Sequence, residues 1–346
     1  MKPQIQIGGR KVGPDNPPFV IAEVGINHEG DFTKAIQMVD AAKVAGADCI
    51  KFQCHITEAE MIPTDMKPGE ISDERLWDII KRCELTEEEE IRIKSYCEEK
   101  GIIYLCTPFS REAADRLDSM GVEAFKIGSG ECNNIPLLAH IARFRRPIIL
   151  STGMNDMQSI RASVAAVQKY DCPLMLLHCT SMYPTPYDKV RLGAILELQE
   201  EFDLPVGLSD HSIGIYTSLG AVALGACALE KHFTITREWP GPDVPISIEP
   251  QELAELVKGA KAVFEAKGGA KTVLDEEKAV IDFAYATVVT ILPIKSGEEF
   301  SLENIWVKRP GTGHIPAKDL QRVLGKRAKR DLNKDVQVEP SDIDVW

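Results

Sequence analysis

The sequence predicts a closed (β/α)8 barrel, a TIM-type fold, followed by a small β-rich module. Two observations carry this reading. Eight short apolar runs recur between residues 19 and 233, separated by segments of helical period, and nearly every run ends on a polar or ionisable side chain. Continuous apolar runs suit parallel strands buried on both faces. In a closed barrel the C-terminal strand ends build the active site.

The runs follow in order as FVIAEVG (19–25), DCIKFQ (48–53), IIYLCTP (102–108), AFKIGS (124–129), PIILSTG (147–153), LMLLHCT (174–180), PVGLSD (205–210) and ALEKHF (228–233). Their ends nominate Glu23, Lys51, Thr107, Lys126, Ser129, Ser151, Thr180, Asp210, Glu230 and His232 as rim residues. Between the runs, 31–47 places Ala35, Met38, Val39 and Ala42 on one helical face. The segment 85–101 opens on Thr86, a suitable N-cap with acids in the first turn, and stops at Gly101. Segments 111–121 and 251–269 repeat the pattern of an amphipathic body and a terminal glycine. The stretch between Gln53 and Leu85, with Pro63, Pro68 and Gly69, reads as an extended loop on the catalytic face. The barrel is expected over 1–266, a linker over 267–283, and a compact second domain over 284–346, where short β-like runs alternate with KSGEE and PGTG turns.

Length and composition fit a barrel plus a small module, at 346 residues with 44% hydrophobic and 27% charged residues. A net charge of −13 argues against nucleic acid as a partner. It does not exclude a small anionic substrate, since a local cationic cluster overrides the global sign. No apolar stretch approaches the roughly 20 residues of a membrane span, and the opening MKPQIQIGGRKVG lacks the apolar core of a signal peptide. Nine cysteines lie mostly inside apolar runs and never as Cys-x-x-Cys, which suits buried reduced thiols of a cytoplasmic protein.

Two histidines end late strands, His211 in LSDHS and His232 in LEKHF. Two imidazoles on neighbouring strands suit a divalent transition metal, the alternative being that each satisfies a local hydrogen bond. Lys51 and Lys126 sit inside apolar runs, where an ammonium is costly without an anion, another partner or a carbonyl substrate. Together with Thr107, Ser129 and Ser151 they read as a cradle for phosphate or carboxylate, with imine chemistry as the competing reading. Glu23 is a candidate general acid or base, or one half of a barrel-floor ion pair. Asn27 and His28 fit turn chemistry equally well. Asn133 and Asn134 can bind substrate hydroxyls or cap the helix opening at Ile135 and Pro136. Tyr183, in YPTP, either aims inward or belongs to a plain turn. Pattern alone reaches a metal-assisted barrel enzyme acting on a small anionic, oxygen-rich substrate.

The ordered set IAEVGINHEGD, GADCIKFQ, TPFS, FKIGSGECNNIPLL, ILSTGM, LLHCTSMYPTP, VGLSDHS, GAVALGACALEKHF, GPD and WVKRPG resembles the sialic acid synthase family of nonulosonate synthases over essentially the whole chain. The tail resembles that family's antifreeze-like (SAF) domain. The resemblance implies condensation of phosphoenolpyruvate with the open-chain aldehyde of an N-acylated hexosamine, such as N-acetylmannosamine, giving a nine-carbon 2-keto acid and phosphate with C–O cleavage. It implies a divalent cation, usually Mn²⁺ with Mg²⁺ or Co²⁺ as alternatives, and no imine. By the same resemblance His211 and His232 match metal ligands. Lys51, Lys126, Thr107, Ser129, Ser151 and Ser209 match the anion pocket, and Glu23 a group at the reacting centre. Gln53, Tyr183 and Asp243 match the sugar side or its support. Arg309, in WVKRPG, matches an arginine contributed across a domain-swapped homodimer to contact the sugar's N-acyl group. Glu70 and Ser181 depart from the common sialic pattern, which puts the sugar in question. A related legionaminic or pseudaminic acid synthase acting on a 2,4-diacetamido-trideoxy hexose is the alternative, and a non-catalytic carbohydrate-binding barrel is a third reading.

Overall fold

The computed structural model describes residues 2–68 and 73–346. It divides into two compact units, Met1–Gly268 and Gly269–Trp346. The first unit opens with an antiparallel hairpin, β1 (Ile5–Ile7) and β2 (Arg10–Val12). Eight parallel strands then follow. They are β3 (Phe19–Gly25), β4 (Cys49–Cys54), β5 (Ile103–Pro108), β6 (Phe125–Ile127), β7 (Ile148–Ser151), β8 (Leu174–Cys179), β9 (Val206–Asp210) and β10 (Ala228–His232). They close in sequence order, with β10 pairing back onto β3. Each of the eight apolar runs is thus one barrel strand.

Helices cover the outside, and the local sequence sets their ends. Asp31 caps Phe32–Ala45 by accepting from Thr33 N and Lys34 N, and Gly46 ends that helix at φ 87°. Thr86 and Glu89 form a capping box on Glu87–Lys100, which ends at Gly101. The expected buried face, Ala35, Met38, Val39 and Ala42, is the one observed.

Strand residues alternate between two cores. Val20, Ala22, Ile50, Phe52, Cys106 and Phe125 pack outward under the helices. Ile21, Cys49, Leu105, Ala124, Ile149, Met175, Leu177 and Ala228 fill the barrel interior. Ile5, Ile7 and Val12 of the hairpin join that interior cluster and close the floor. The hairpin was not anticipated, although IQIGGRKV carries its signal, an alternating pattern around two glycines that adopt φ 54° and 79°. Above the apolar floor, the same inward positions become ionisable. That switch places the site.

The second unit has its own core, including Val288, Phe300, Ile305 and Ile315, around the antiparallel pair β11 (Thr287–Thr290) and β12 (Ile305–Lys308). All nine cysteines are free and buried. No helix among the described residues is long and apolar enough to cross a membrane.

Candidate active site

The inward residues just above the floor are Glu23, Lys51, Thr107, Lys126, Ser151, Ser209 and Glu230, and they meet around a cavity of about 370 Å³. A larger cleft of about 570 Å³ elsewhere contains Arg10 and Asp48, but these charges are already paired with each other. Register explains the convergence. Glu23 stands opposite both Lys51 and His232, and Glu230 stands opposite Ser209.

The layer is a chain of buried charges. Lys51 Nζ lies 2.7 Å from Glu23 Oε2 and 3.9 Å from Glu230 Oε2, and it donates to Thr107 Oγ1 at 3.1 Å. Lys126 Nζ lies 3.3 Å from Glu230 Oε1, which also accepts from Ser209 Oγ at 2.9 Å. Two ammoniums and two carboxylates balance, as burial demands. Burial pushes the Glu23 carboxyl up, and Lys51 only partly offsets it. For Glu230 burial pushes the same way, but Lys126 and Lys51 together outweigh it and hold the carboxyl below its ordinary range. Burial works against the charge of both lysines. Glu23 and Glu230 outweigh it at Lys51, which is raised, whereas Lys126 stays lowered. Ser151 Oγ is buried without a hydrogen-bond partner, while Glu23 Oε2 and Glu230 Oε2 face only the Lys51 ammonium, at 2.7 and 3.9 Å. The free Ser151 hydroxyl, a donor beside two ammoniums, provides a contact for an oxygen-rich anion.

The histidines occupy the wall beyond this layer. The rings of His211 and His232 lie 5.4 Å apart, and Tyr183 stacks on His211 at 4.3 Å. His211 Nδ1 donates to Thr180 O at 3.0 Å, which fixes the tautomer and leaves Nε2 with its lone pair. Burial opposes charge on His211, while Cys179 Sγ at 3.7 Å and the Thr180 carbonyl raise its pKa. His232 is held neutral, chiefly by burial. Its Nδ1 is buried without a hydrogen-bond partner, 3.8 Å from Asp243 Oδ2. A neutral, unsatisfied imidazole beside a tautomer-fixed one fits a metal-binding pair. No group of three His, Cys, Asp or Glu among the described residues forms a closed cage. The pair would leave coordination positions open, as catalytic metals require.

Gly25 makes room for this corner. It adopts φ 56°, and a Cβ there would stand 2.8 Å from Asp243 Oδ2 and 3.3 Å from His232 Cε1. Only glycine satisfies both demands.

Gln53, Ser129 and Tyr183 also border the cavity, as does Ser181. Asp243 sits behind His232, and burial raises its carboxyl. Arg309 lies in the second unit, exposed, directly after β12 and before a cis peptide to Pro310. Glu70 lies outside the described residues. Two rim nominations fail. Thr180 Oγ1 donates to Lys189 O, so only its carbonyl serves the site. Asp210 points outward and pairs at 3.0 Å with buried Lys231, which is also outward. The capping reading of Asn134 holds, since its Oδ1 accepts from Leu137 N at 3.2 Å. Asn27 Nδ2 ties the first loop to Phe233 O and Ser247 Oγ, each at 2.9 Å.

Sequence reasoning gave Glu230 no role beyond a strand end, and it overlooked His55, Phe109 and Cys179. The Glu in ALEKHF was visible, but the sequence does not say which of Glu230 and Lys231 faces in. His55 follows the fourth strand's polar end in FQCH and carried no signal of its own.

Comparison with known proteins adds independent evidence. A family model described as the NeuB family matches residues 38–272, and a SAF domain matches 285–344. An N,N'-diacetyllegionaminic acid synthase of Campylobacter jejuni is 38% identical over 327 residues, covering 92% of this chain and 97% of the relative. The N-acetylneuraminate-9-phosphate synthase of Homo sapiens is 34% identical over 334 residues, covering 94% and 93%. The crystal structure of an N-acetylneuraminic acid (sialic acid) synthetase from Leptospira borgpetersenii, in complex with citrate, matches at 36% identity with TM-score 0.74. It covers 81% of this chain and 96% of that one.

Proposed function

The chain belongs to the NeuB family and carries a SAF domain, and from that premise we propose that it is a phosphoenolpyruvate-dependent nonulosonate synthase. In this reading C3 of phosphoenolpyruvate bonds to the aldehyde carbon of an open-chain N-acylated hexosamine. Water then adds at C2, and phosphate leaves with its bridging oxygen. The observation that carries the reading is the convergence of two lysines, two glutamates and two histidines on one cavity at the barrel mouth.

Lys51 and Lys126 would hold the phosphate and carboxylate of phosphoenolpyruvate, with Thr107, Ser129, Ser151 and Ser209 supplying hydroxyls. These lysines act as charges, not as amine nucleophiles. Glu23, pushed up by burial while it contacts Lys51, would exchange a proton with the reacting centre or stabilise positive charge developing there. Gln53 and Tyr183 would orient the sugar, with Asp243 supporting His232. His211 and His232 would hold a divalent cation, Mn²⁺ by preference with Mg²⁺ or Co²⁺ as substitutes, which supplies Lewis-acid polarisation of the aldehyde when bound. Arg309 would close the site of a second subunit in a domain-swapped homodimer and contact the N-acyl group.

For the sugar, we propose N-acetylmannosamine, making the chain an N-acetylneuraminate synthase. A 2,4-diacetamido-trideoxy hexose is the second reading. It is favoured by the 38% identity to a diacetyllegionaminic acid synthase, and by the presence of Phe109 and Met154 in the cavity lining, apolar side chains that suit a 6-methyl group. Both sugars are tested side by side with phosphoenolpyruvate and Mn²⁺, scoring phosphate release and the mass of the 2-keto acid. Equimolar phosphate and product are expected, with the bridging ¹⁸O of labelled phosphoenolpyruvate recovered in phosphate. No turnover of any N-acylated hexosamine would refute the synthase reading.

A further inference from the structure

We propose that His55, clamped by Glu60, is a positioning residue that fixes the orientation of the Gln53 carboxamide and so aims one of its N–H bonds at Glu23. The inference rests on the reading of Glu23 as a group at the reacting centre. Gln53 ends the inward row of β4, while His55 lies just beyond the strand. Gln53 Nε2 donates to Glu23 Oε1 at 3.0 Å, and Gln53 Oε1 accepts from His55 Nε2 at 3.0 Å. The opposite edge of the ring, Nδ1, contacts both Glu60 carboxylate oxygens, at 3.0 and 2.9 Å. The side chains of His55 and Glu60 are only 3% and 6% exposed.

A carboxamide has two orientations of nearly equal shape, and only its hydrogen-bond partners choose between them. With the carbonyl turned toward Glu23, two acceptors would face each other in a buried site, which is costly. His55 makes the selection. A carboxylate accepts only, so Nδ1 donates to Glu60. Where Nε2 also carries hydrogen the Gln53 carbonyl accepts from it, whereas a bare Nε2 would take the carboxamide N–H and reverse Gln53. The chain Glu60–His55–Gln53–Glu23 runs through contacts of 2.9–3.0 Å. Stacking on Phe109, with centroids 4.6 Å apart and planes 11° from parallel, prevents the ring from tilting. Glu60 is held in turn by the short helix Thr57–Glu60, whose Thr57 Oγ1 donates to Glu84 Oε2 at 2.7 Å.

The test separates positioning from bracing. In His55→Asn the side-chain nitrogen falls near the Nδ1 position and keeps the Glu60 contact. In His55→Gln it falls near Nε2 and keeps the Gln53 contact. A mere brace for the loop needs the first, and positioning of Gln53 needs the second. We expect His55→Gln to retain kcat within about threefold. His55→Asn and His55→Phe should lose about tenfold or more, with the KM for phosphoenolpyruvate within about twofold because the lysines are untouched. A second readout needs no turnover. The Gln53 side-chain ¹⁵N–¹H pair, assigned by its disappearance in Gln53→Met, should stay in place in His55→Gln and shift in His55→Asn. An inactive wild-type chain would therefore count against the synthase reading while the spectrum still decides the positioning. Equal kcat values with an unmoved Gln53 resonance in His55→Asn, or fully additive losses when His55→Phe is combined with Gln53→Met, would overturn the proposal.

Discussion

Replacing Glu230 by glutamine tests the charge layer where its balance is narrowest. Glu230 Oε1 lies 3.3 Å from Lys126 and Oε2 3.9 Å from Lys51. At an effective dielectric near 20, each contact is worth roughly 4–5 kcal/mol before desolvation. The change strips one counter-charge but keeps the shape. Lys51 retains Glu23 at 2.7 Å, so the loss falls on Lys126, whose remaining contact is Ile127 O at 3.3 Å. Removing one partner of a buried pair costs about 3–5 kcal/mol. The lower figure applies here, because Lys126, already lowered by burial, can shed its proton. A loss of about 3 kcal/mol corresponds to a fall in Tm of roughly 6 °C for a domain of this size. Phosphoenolpyruvate should restore more stability to Glu230→Gln than to the wild-type chain, because its negative groups replace the missing counter-charge and no longer face the Glu230 carboxylate. Thermal unfolding with and without phosphoenolpyruvate measures both effects. An unchanged Tm for the free variant, or a ligand shift no larger than that of the wild type, would refute the idea that Glu230 neutralises the anion pocket.

Four further outcomes are expected. His28 accepts from Gly30 N at Nδ1, and burial, first among its causes, lowers its pKa to about 4. Below about 6.5 the unfolded chain binds a proton that the folded chain refuses, so stability falls as pH drops from about 6.5 toward 4, by at most about 3 kcal/mol. His28→Gln should flatten that part of the stability profile, and an unchanged slope would contradict the assignment. Gly25→Ala should cost about 1–3 kcal/mol and displace His232 and Asp243, which a crystal structure of the variant would show; an undisturbed corner would argue against the packing reading. His232→Ala should bind less metal by direct elemental analysis while its far-UV circular dichroism is unchanged, and full metal content would remove His232 from the ligand set. Arg309→Ala should raise the KM for the sugar far more than that for phosphoenolpyruvate, with partial rescue when mixed with Lys126→Ala chains. Equal effects on both substrates, or no rescue in confirmed heterodimers, would contradict a shared site.

The barrel is legible in the sequence because the information for it is local. Eight apolar runs had to be buried on both faces, and Thr86, Gly101 and Asn134 announce their helix boundaries through capping chemistry that operates within a few residues. The sequence also marked most of the polar layer, since an ionisable group such as Lys51 or Lys126 at the end of an apolar run needs a partner. What it left open was the direction in which each residue points. Strand side chains alternate with a period of two. When both faces of a strand are buried, hydrophobicity no longer distinguishes the barrel interior from the helix layer. ALEKHF is the clearest case. Tertiary closure turns Glu230 and His232 into the cavity and sends Lys231 outward to Asp210, although all three are buried and polar. The same closure brings Gln53 against Glu23, 30 residues away in sequence, and sets His55 behind it. Those contacts depend on register between strands, which only the closed barrel supplies.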